Sequence, residues 1–259
     1  MAGVAASDEG EVVTGKRPKD SVEYNIAVMV VLALETVTPR GSVAVWHDGR
    51  VTSRTGDAGT PHAARFPSAW LDTLATAAVA LDDVQMLAVV SGPGSFTGVR
   101  IGMASAQGLA LTRGWLVTAI PTLDALAECW RVAHAGQPPR TVMACLDGLR
   151  SEVFVREFLF DGQVMHPLSE AAVMAPGEVR WTRHPGGVSF AGSGAVRYAS
   201  AWSGVSDDIG EPAESIAAGA ARLAAGGAWP AAAPHALRPL YVRRPDVELA
   251  RDRGRSDGR

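Results

Sequence analysis

The sequence predicts a two-lobed α/β protein built from duplicated βββαβα halves. Three observations carry this. The first half reads as three strands in succession followed by alternating helices and strands. The second half opens with a similar run of strands and again continues into a strand–helix unit. Between them, Gly136-Gln-Pro-Pro139 supplies a turn-rich break. On this reading residues 1–24 are a disordered polar extension, 25–135 a first lobe, 136–245 a smaller second lobe and 246–259 a solvated, disordered tail. The last helix is placed to pack back on the first lobe.

The first strand is the continuous apolar run Ile26–Leu34, the pattern of a strand buried on both faces. Thr38-Pro39-Arg40-Gly41 turns the chain into Ser42–Trp46. His47-Asp48-Gly49-Arg50 has hairpin chemistry and leads into Val51–Thr55. Three strands in a row differ from a dinucleotide-binding start, where the first strand feeds a helix. An amphipathic helix is expected over Pro67–Leu81, with proline in its first turn and Trp70, Leu74, Ala77, Ala78 and Leu81 on one face. Met86–Val90 is the next buried strand. It runs into Gly92-Pro-Gly94 and a helix capped by Ser95 or Thr97. Leu116–Ile120 and a helix over 122–133 complete the half. Val142–Leu146 then forms a strand, Asp147–Arg150 turns, and Glu152–Phe160 returns. Asp161-Gly162 turns into a short strand. Val188–Ala191 leads through Gly192-Ser-Gly194 into a helix from Ala195, and Glu214–Ala225 is the last helix. Two such halves with a cleft between them describe the actin-like ATPase architecture.

Composition narrows the function classes. The chain of 259 residues is 47% hydrophobic and 20% charged, as soluble globular proteins are. A net charge of −3 gives no support for a protein that grips nucleic acid unaided. No run approaches the roughly 18–20 apolar residues of a membrane span. Residues 1–24 lack the apolar core of a secretory signal. Cys129 and Cys145 sit in apolar surroundings without metal-type spacing, which reads as reduced core cysteines of a cytoplasmic protein.

The most informative stretch is Ser91–Arg113. Gly94, Gly98, Gly102, Ala106 and Ala110 recur every fourth residue and so share one helical stripe. Glycine inside a helix costs about 1 kcal/mol against alanine, so the stripe implies close approach by another backbone. Arg100, flanked by Phe96, Val99 and Met103, reads as an interface anchor. The Gly92–Gly98 loop lies where anions bind, but it lacks the Walker lysine, and Thr97 stands where a dinucleotide fingerprint needs glycine. Ser95 is not a nucleophile elbow, because Pro93 and Thr97 replace its glycines. No histidine has a second ligand at helical metal spacing. Asp147, Arg150 and Glu152 cluster at a turn. They are either cleft contacts or a surface ion pair worth under about 1 kcal/mol.

Five segments resemble the TsaB (YeaZ) family of bacterial tRNA threonylcarbamoyladenosine biosynthesis proteins. They are Val30–Thr36, Ser42–Gly49, Gly92–Gly102 with Ala106–Leu111, Leu146–Phe154, and Pro239–Arg243. They run in family order over roughly residues 28–245, and the Gly-Pro-Gly-Ser-Phe-Thr-Gly string is the most specific. Glu35 stands where aspartate is usual, and Gly148-Leu149 replace an Ala-Arg pair. The resemblance implies a non-catalytic subunit with no cofactor or metal of its own. It pairs with a TsaD-like catalytic subunit that carries the metal and nucleotide. A TsaE-like ATPase joins, and tRNA is met only through the complex. That complex transfers a threonylcarbamoyl group from threonylcarbamoyl-AMP to the adenosine next to the anticodon of tRNAs reading codons that begin with A. The catalytic relative carries His-x-x-x-His after the strand that follows the Gly-rich helix; here Thr122 and Leu126 hold those places.

The resemblance also implies pairing, with the partner or with a second copy, through the Gly-rich helix. The expected contacts are Gly94, Phe96, Thr97, Gly98, Arg100, Gly102, Met103 and Ala106, with Trp70 and Leu74 on the neighbouring helix either as second contacts or as core. Leucine at Gly98 or Gly102 is then expected to block pairing and leave the protomer folded. Glu35 and Thr36 join Asp147, Arg150 and Glu152 as a possible cleft group. The alternative is a stand-alone ATP-dependent phosphotransferase of the actin-like superfamily, or a metallopeptidase. The first needs a Gly-rich phosphate turn, of which Glu35-Thr36 with Pro39-Arg40-Gly41 is a poor echo.

Overall fold

A computed structural model of the chain describes residues 29–243. The expected terminal extension and tail, and the first residues assigned to the opening strand, lie outside the described residues. Strand β1 (Val30–Glu35) is buried along its whole length. It pairs antiparallel with β2 (Ser42–His47) and parallel with β4 (Val84–Val90). With β3 (Arg50–Thr55) and β5 (Leu116–Ile120), these strands form a mixed sheet in the order β3-β2-β1-β4-β5. A strand with neighbours on both edges and helices on both faces has no polar side to present. Hence the unbroken apolar run Val30-Val-Leu-Ala-Leu34.

Helices α1 (His62–Thr76) and α2 (Phe96–Arg113) cover one face of this sheet. A second sheet carries β6 (Arg140–Asp147), β7 (Val153–Phe160), β8 (Met165–Pro167), β10 (Val188–Ala191) and β11 (Ile209–Gly210) in the order β11-β10-β6-β7-β8, and β9 (Ala172–Met174) pairs with β7. Helix α3 (Thr122–Ala133) packs on β6, β7, β8 and β10, and the short α4 (Ser193–Arg197) packs on β6, β10 and β11. Helix α5 (Ile216–Ala225) comes from the second half of the chain but lies on the first sheet, on the face opposite α1 and α2. The result is the two-lobed actin-like fold.

The lobes meet where α3 crosses α5. Gly219 permits the crossing, because a Cβ there would lie inside the contact distance of the Ala125 carbonyl oxygen. The Cys129 thiol donates to the Ser215 carbonyl at 3.2 Å across the same seam. Burial pushes the Cys129 thiol up to about 12 and that of Cys145 higher still, so both stay protonated packing groups.

Two boundaries depart from expectation. Helix α1 starts at His62, five residues before Pro67, and that proline lies inside it. Pro61, at the cap position, makes no side-chain capping bond that a reader of the sequence could recognise. Pro67 withholds one amide from Ala63, and Ala63 is exposed to solvent. The helix also ends early, at Thr76. Ala78 adopts φ 55°, and the Val79 amide reaches back to the Leu74 carbonyl at 3.0 Å. This is a left-handed cap made by alanine where glycine is the usual signal.

Candidate partner surface and interlobe cleft

Helix α2 begins at Ser95, whose hydroxyl accepts from the Gly98 amide at 3.1 Å. It ends on Gly114, in the left-handed region at φ 70°. The close approach implied by the small-residue stripe is real, but its partner is inside the protomer. A Cβ on Gly98 would collide with the Thr36 carbonyl oxygen, and one on Gly102 with the Thr36 hydroxyl. That hydroxyl donates to the Gly98 carbonyl at 2.7 Å. A Cβ on Gly94 would lie 2.7 Å from the Val37 carbonyl oxygen. Met103, Ala106 and Ala110 are buried in the core beside them, as is Leu74 of α1.

The expectation that Gly94, Gly98, Gly102, Met103 and Ala106 touch a partner is therefore corrected: they touch the chain's own first lobe, and of the two readings of Leu74 the structure has the core one. Repetition every four residues identifies a face of a helix. It does not say what that face meets. The expected tolerance of leucine at Gly98 or Gly102 falls with it, because the Thr36 backbone already occupies that space.

Phe96, Thr97 and Arg100 point outward, and they share the outer side of α2 with Ala104, Gly108 and Leu111. Leu111 is 70% exposed, and a Cβ on Gly108 would meet nothing. On α1, Leu71 is 48% exposed beside exposed Pro67 and Ser68, whereas Trp70 is half-buried against the core. Between Arg100 and Leu111 the outer face of α2 thus carries only small exposed residues, Ala104, Ser105 and Gly108. Its signal in the sequence was the second four-residue series, Ala104 and Gly108, hidden beside the stronger one.

A cleft of about 1030 Å³ separates the lobes. Glu35 lies at its base, buried. Its carboxylate accepts from the Thr38 amide at 2.7 Å, the Thr38 hydroxyl at 3.1 Å and the Ser42 hydroxyl at 2.9 Å. Ser42 Oγ in turn accepts from the Ala217 amide of α5 at 3.2 Å. Burial pushes the Glu35 carboxyl above its ordinary range, outweighing the hydrogen bonds that favour the charged form. All three donors come from the adjacent turn, so the group organises residues 36–42.

Asp147 and Arg150 also line the cleft. Asp147 Oδ1 accepts from the Leu149 amide at 3.0 Å and from the Tyr198 hydroxyl at 3.4 Å, and the carboxylate pairs with Arg197 at 3.5 Å. Glu152 is paired with Arg243. Thr36 does not join this group, because its side chain is spent on α2. Sequence reasoning missed residues 240–243, which line the cleft from the far end of the chain and carry no periodicity to mark them.

Past β5, the Thr122 hydroxyl donates to the Pro93 carbonyl at 2.7 Å, and Leu126 is buried in the second lobe's core. A hydroxyl and an isobutyl group do not supply the nitrogen ligands of an iron or zinc site. Among the described residues, no three His, Cys, Asp or Glu side chains cluster as a metal would need. Among them too, no helix is long and apolar enough to cross a membrane.

The family model described as TsaD, tRNA N6-adenosine threonylcarbamoyltransferase, matches residues 56–219. A protein of Escherichia coli K12 named tRNA threonylcarbamoyladenosine biosynthesis protein TsaB is 37% identical over 150 residues, 57% of this chain and 63% of that one. The match therefore spans less than two thirds of that relative's length. An uncharacterized protein of Mycobacterium tuberculosis H37Rv is 32% identical over 228 residues, 86% of this chain and 96% of the other. The solved structure of YeaZ from Pseudomonas aeruginosa superposes with a TM-score of 0.67 at 28% identity, covering 83% of this chain and 100% of that one.

Two outcomes follow from the geometry. Gly98→Ala lowers the unfolding free energy by about 3 kcal/mol, because the new methyl meets fixed backbone. Gly108→Ala raises it by about 0.5–1 kcal/mol, because open space leaves only the gain in helix propensity. Urea denaturation of the two variants separates these effects. For Glu35, the folded carboxyl holds its proton to higher pH than the unfolded one. The folded state then binds the extra proton, so stability falls as pH rises from the ordinary carboxylate range through the folded value. Glu35→Gln removes that contribution. Denaturation curves across this range show a shallower decline for the variant than for the parent.

Proposed function

Because this chain belongs to the TsaB (YeaZ) family, we propose that it is the non-catalytic interaction subunit of a tRNA threonylcarbamoyl-transfer complex. Its work is to pair with a TsaD-like subunit that holds the metal and nucleotide. A TsaE-like ATPase joins the pair, and the tRNA adenosine next to the anticodon is modified on the partner. The observation that carries the reading is the outward face of α2, where Ala104, Gly108 and Leu111 are exposed, together with exposed Leu71 on the neighbouring α1. Small residues let a second helix come close, and Leu111 offers apolar area at the rim. Phe96, Thr97 and Arg100 extend the surface at the helix N-terminus, with the Arg100 guanidinium 3.7 Å from the centre of the Phe96 ring. A second copy of the chain can use the same face.

The non-catalytic part of the reading is supported by Thr122 and Leu126. Both are engaged in packing at the positions where the catalytic relative has imidazoles. The cleft carboxylates support it too, because Glu35 is held by three donors of the segment that follows it, and Asp147 by the Leu149 amide, the Tyr198 hydroxyl and Arg197.

The test is co-purification with a TsaD-like subunit, followed by an assay for modified tRNA. The expected result is no turnover by the isolated chain and product once TsaD-like and TsaE-like subunits, threonylcarbamoyl-AMP and tRNA are mixed with it. Leu111→Arg weakens pairing at least about tenfold, or about 1.4 kcal/mol, while stability stays within about 0.5 kcal/mol of the parent because the side chain is exposed. Pairing of that variant at parental affinity removes α2 from the interface. ATP turnover by the isolated chain favours the phosphotransferase reading instead.

A further inference from the structure

The segment Leu240–Arg243 bridges the two lobes along the wall of the cleft. At its first-lobe end, the Leu240 amide donates to the Ser91 carbonyl at 2.8 Å. Gly92 leaves room for this contact, since a Cβ there would lie 2.6 Å from the Leu240 carbonyl oxygen. The Tyr241 ring lies against Phe96, with centroids 5.0 Å apart, and its hydroxyl accepts from Arg100 Nε at 3.2 Å. At the second-lobe end, Arg243 pairs with Glu152 and stands over the Phe154 ring at 5.1 Å. Four consecutive residues thus grip α2 at one end and β7 with its preceding turn at the other.

That turn is strained. Leu149, Arg150 and Ser151 are successive non-glycine residues in the left-handed region, at φ 59°, 51° and 61°. Side chains disfavour this conformation, and a run of them persists only where the surroundings over-determine it. The Asp147 carboxylate holds the Leu149 amide at 3.0 Å. The Gly148 amide donates to the Glu152 carbonyl at 2.9 Å, and the Glu152 amide donates to Leu149 at 2.9 Å. The side chain of Glu152 is the one that Arg243 grips. The strained element therefore stands at the cleft and is fastened from outside by the far end of the chain.

We propose that residues Leu240–Arg243 are a latch that sets the opening of the interlobe cleft, with the Arg243–Glu152 pair as its releasable end. The seam between α3 and α5 is close-packed through Gly219 and serves as the hinge. The latch joins the lobes across the cleft from it. Its second-lobe end is the weaker one, because the Glu152 side chain is 40% exposed and water competes for the pair. Its first-lobe end is a backbone hydrogen bond and a packed ring on α2. Cleft opening and the N-terminus of α2 are thereby mechanically connected.

The inference goes beyond partner pairing and is tested on the isolated full chain, so its failure and the failure of the pairing reading are separate results. Nitroxide labels on Ser53→Cys in the first lobe and Val196→Cys in the second report the interlobe distance by pulsed electron resonance. The native cysteines are buried and stay unlabelled. In the Arg243→Ala background the mean distance shifts by more than about 2 Å, the scale of a hinge rearrangement. Hydrogen-exchange protection of both central sheets is retained. Should that variant not fold, Glu152→Gln releases the same end from the other side. An unchanged distance in the released variant overturns the latch, as does a shift accompanied by loss of protection throughout both sheets.

Discussion

The contact between the backbone of α2 and the end of β1 is the constraint on which the rest of the structure depends. Thr36 presses its carbonyl and hydroxyl into the space left by Gly98 and Gly102, and its hydroxyl donates to the helix at the Gly98 carbonyl. The next residue, Val37, takes the Ser95 amide at 2.8 Å, so the cap of α2 is fastened to the same strand end. The residue before, Glu35, points to the other side and organises the turn at the base of the cleft. Adjacent side chains on a strand alternate in direction. One dipeptide therefore seats the helix with Thr36 and shapes the cleft with Glu35. Two or three helical glycines cost about 1 kcal/mol each, and the fit they permit offsets that by burying Val99, Met103 and Ala106 against the sheet.

Much of this was legible in the sequence, and the parts that were not share a cause. The limits of β5, α3 and β10 could be read directly, because each is a clean apolar pattern bounded by a strong signal such as Pro121 or Gly192. The start of α1 could not, because Pro61 carries no capping side chain and Pro67 imitates a first-turn proline. Its end could not, because Ala78 does what glycine usually does. The stripe on α2 revealed a close approach but not its partner, since Thr36 lies 62 residues away from Gly98 in sequence. Local spacing has no access to a contact of that range. Residues 240–243 were visible only as a segment resembling a family, because a bridge between lobes has neither period nor cap.

The fold by itself suggests catalysis, since a cleft between two lobes of this kind is where chemistry is commonly done. Several polar side chains of this cleft are engaged by the fold itself. A general base needs a carboxylate free to receive a proton from a substrate. Glu35 is saturated by three donors of its own turn, and Asp147 holds the strained turn beside it. A metal centre after β5 needs imidazoles, and there the chain places a threonine that ties α3 to the Gly-Pro-Gly turn and a leucine that fills the second core. Thr122 and Leu126, like Glu35, are thus committed to holding the fold together.

Helix α2 carries small residues on both its inner and outer sides, and this has a geometric consequence. Inward, Gly98, Gly102 and Ala106 bring its axis close to β1; outward, Ala104 and Gly108 leave its axis close to whatever lies against it. A helix with large side chains on either face would stand off from its neighbours by a further layer of atoms. Here a helix docked on the outer face is separated from the strand that shapes the cleft by little more than one helical backbone. The same helix is gripped at its N-terminal turn by Tyr241, through Phe96 and Arg100. A partner that moves α2 therefore acts on β1 through Thr36 and on the second lobe through the segment that ends at Arg243. Packing that is tight on one side and thin on the other makes α2 the part of the molecule through which its two lobes and the proposed docking surface would share strain.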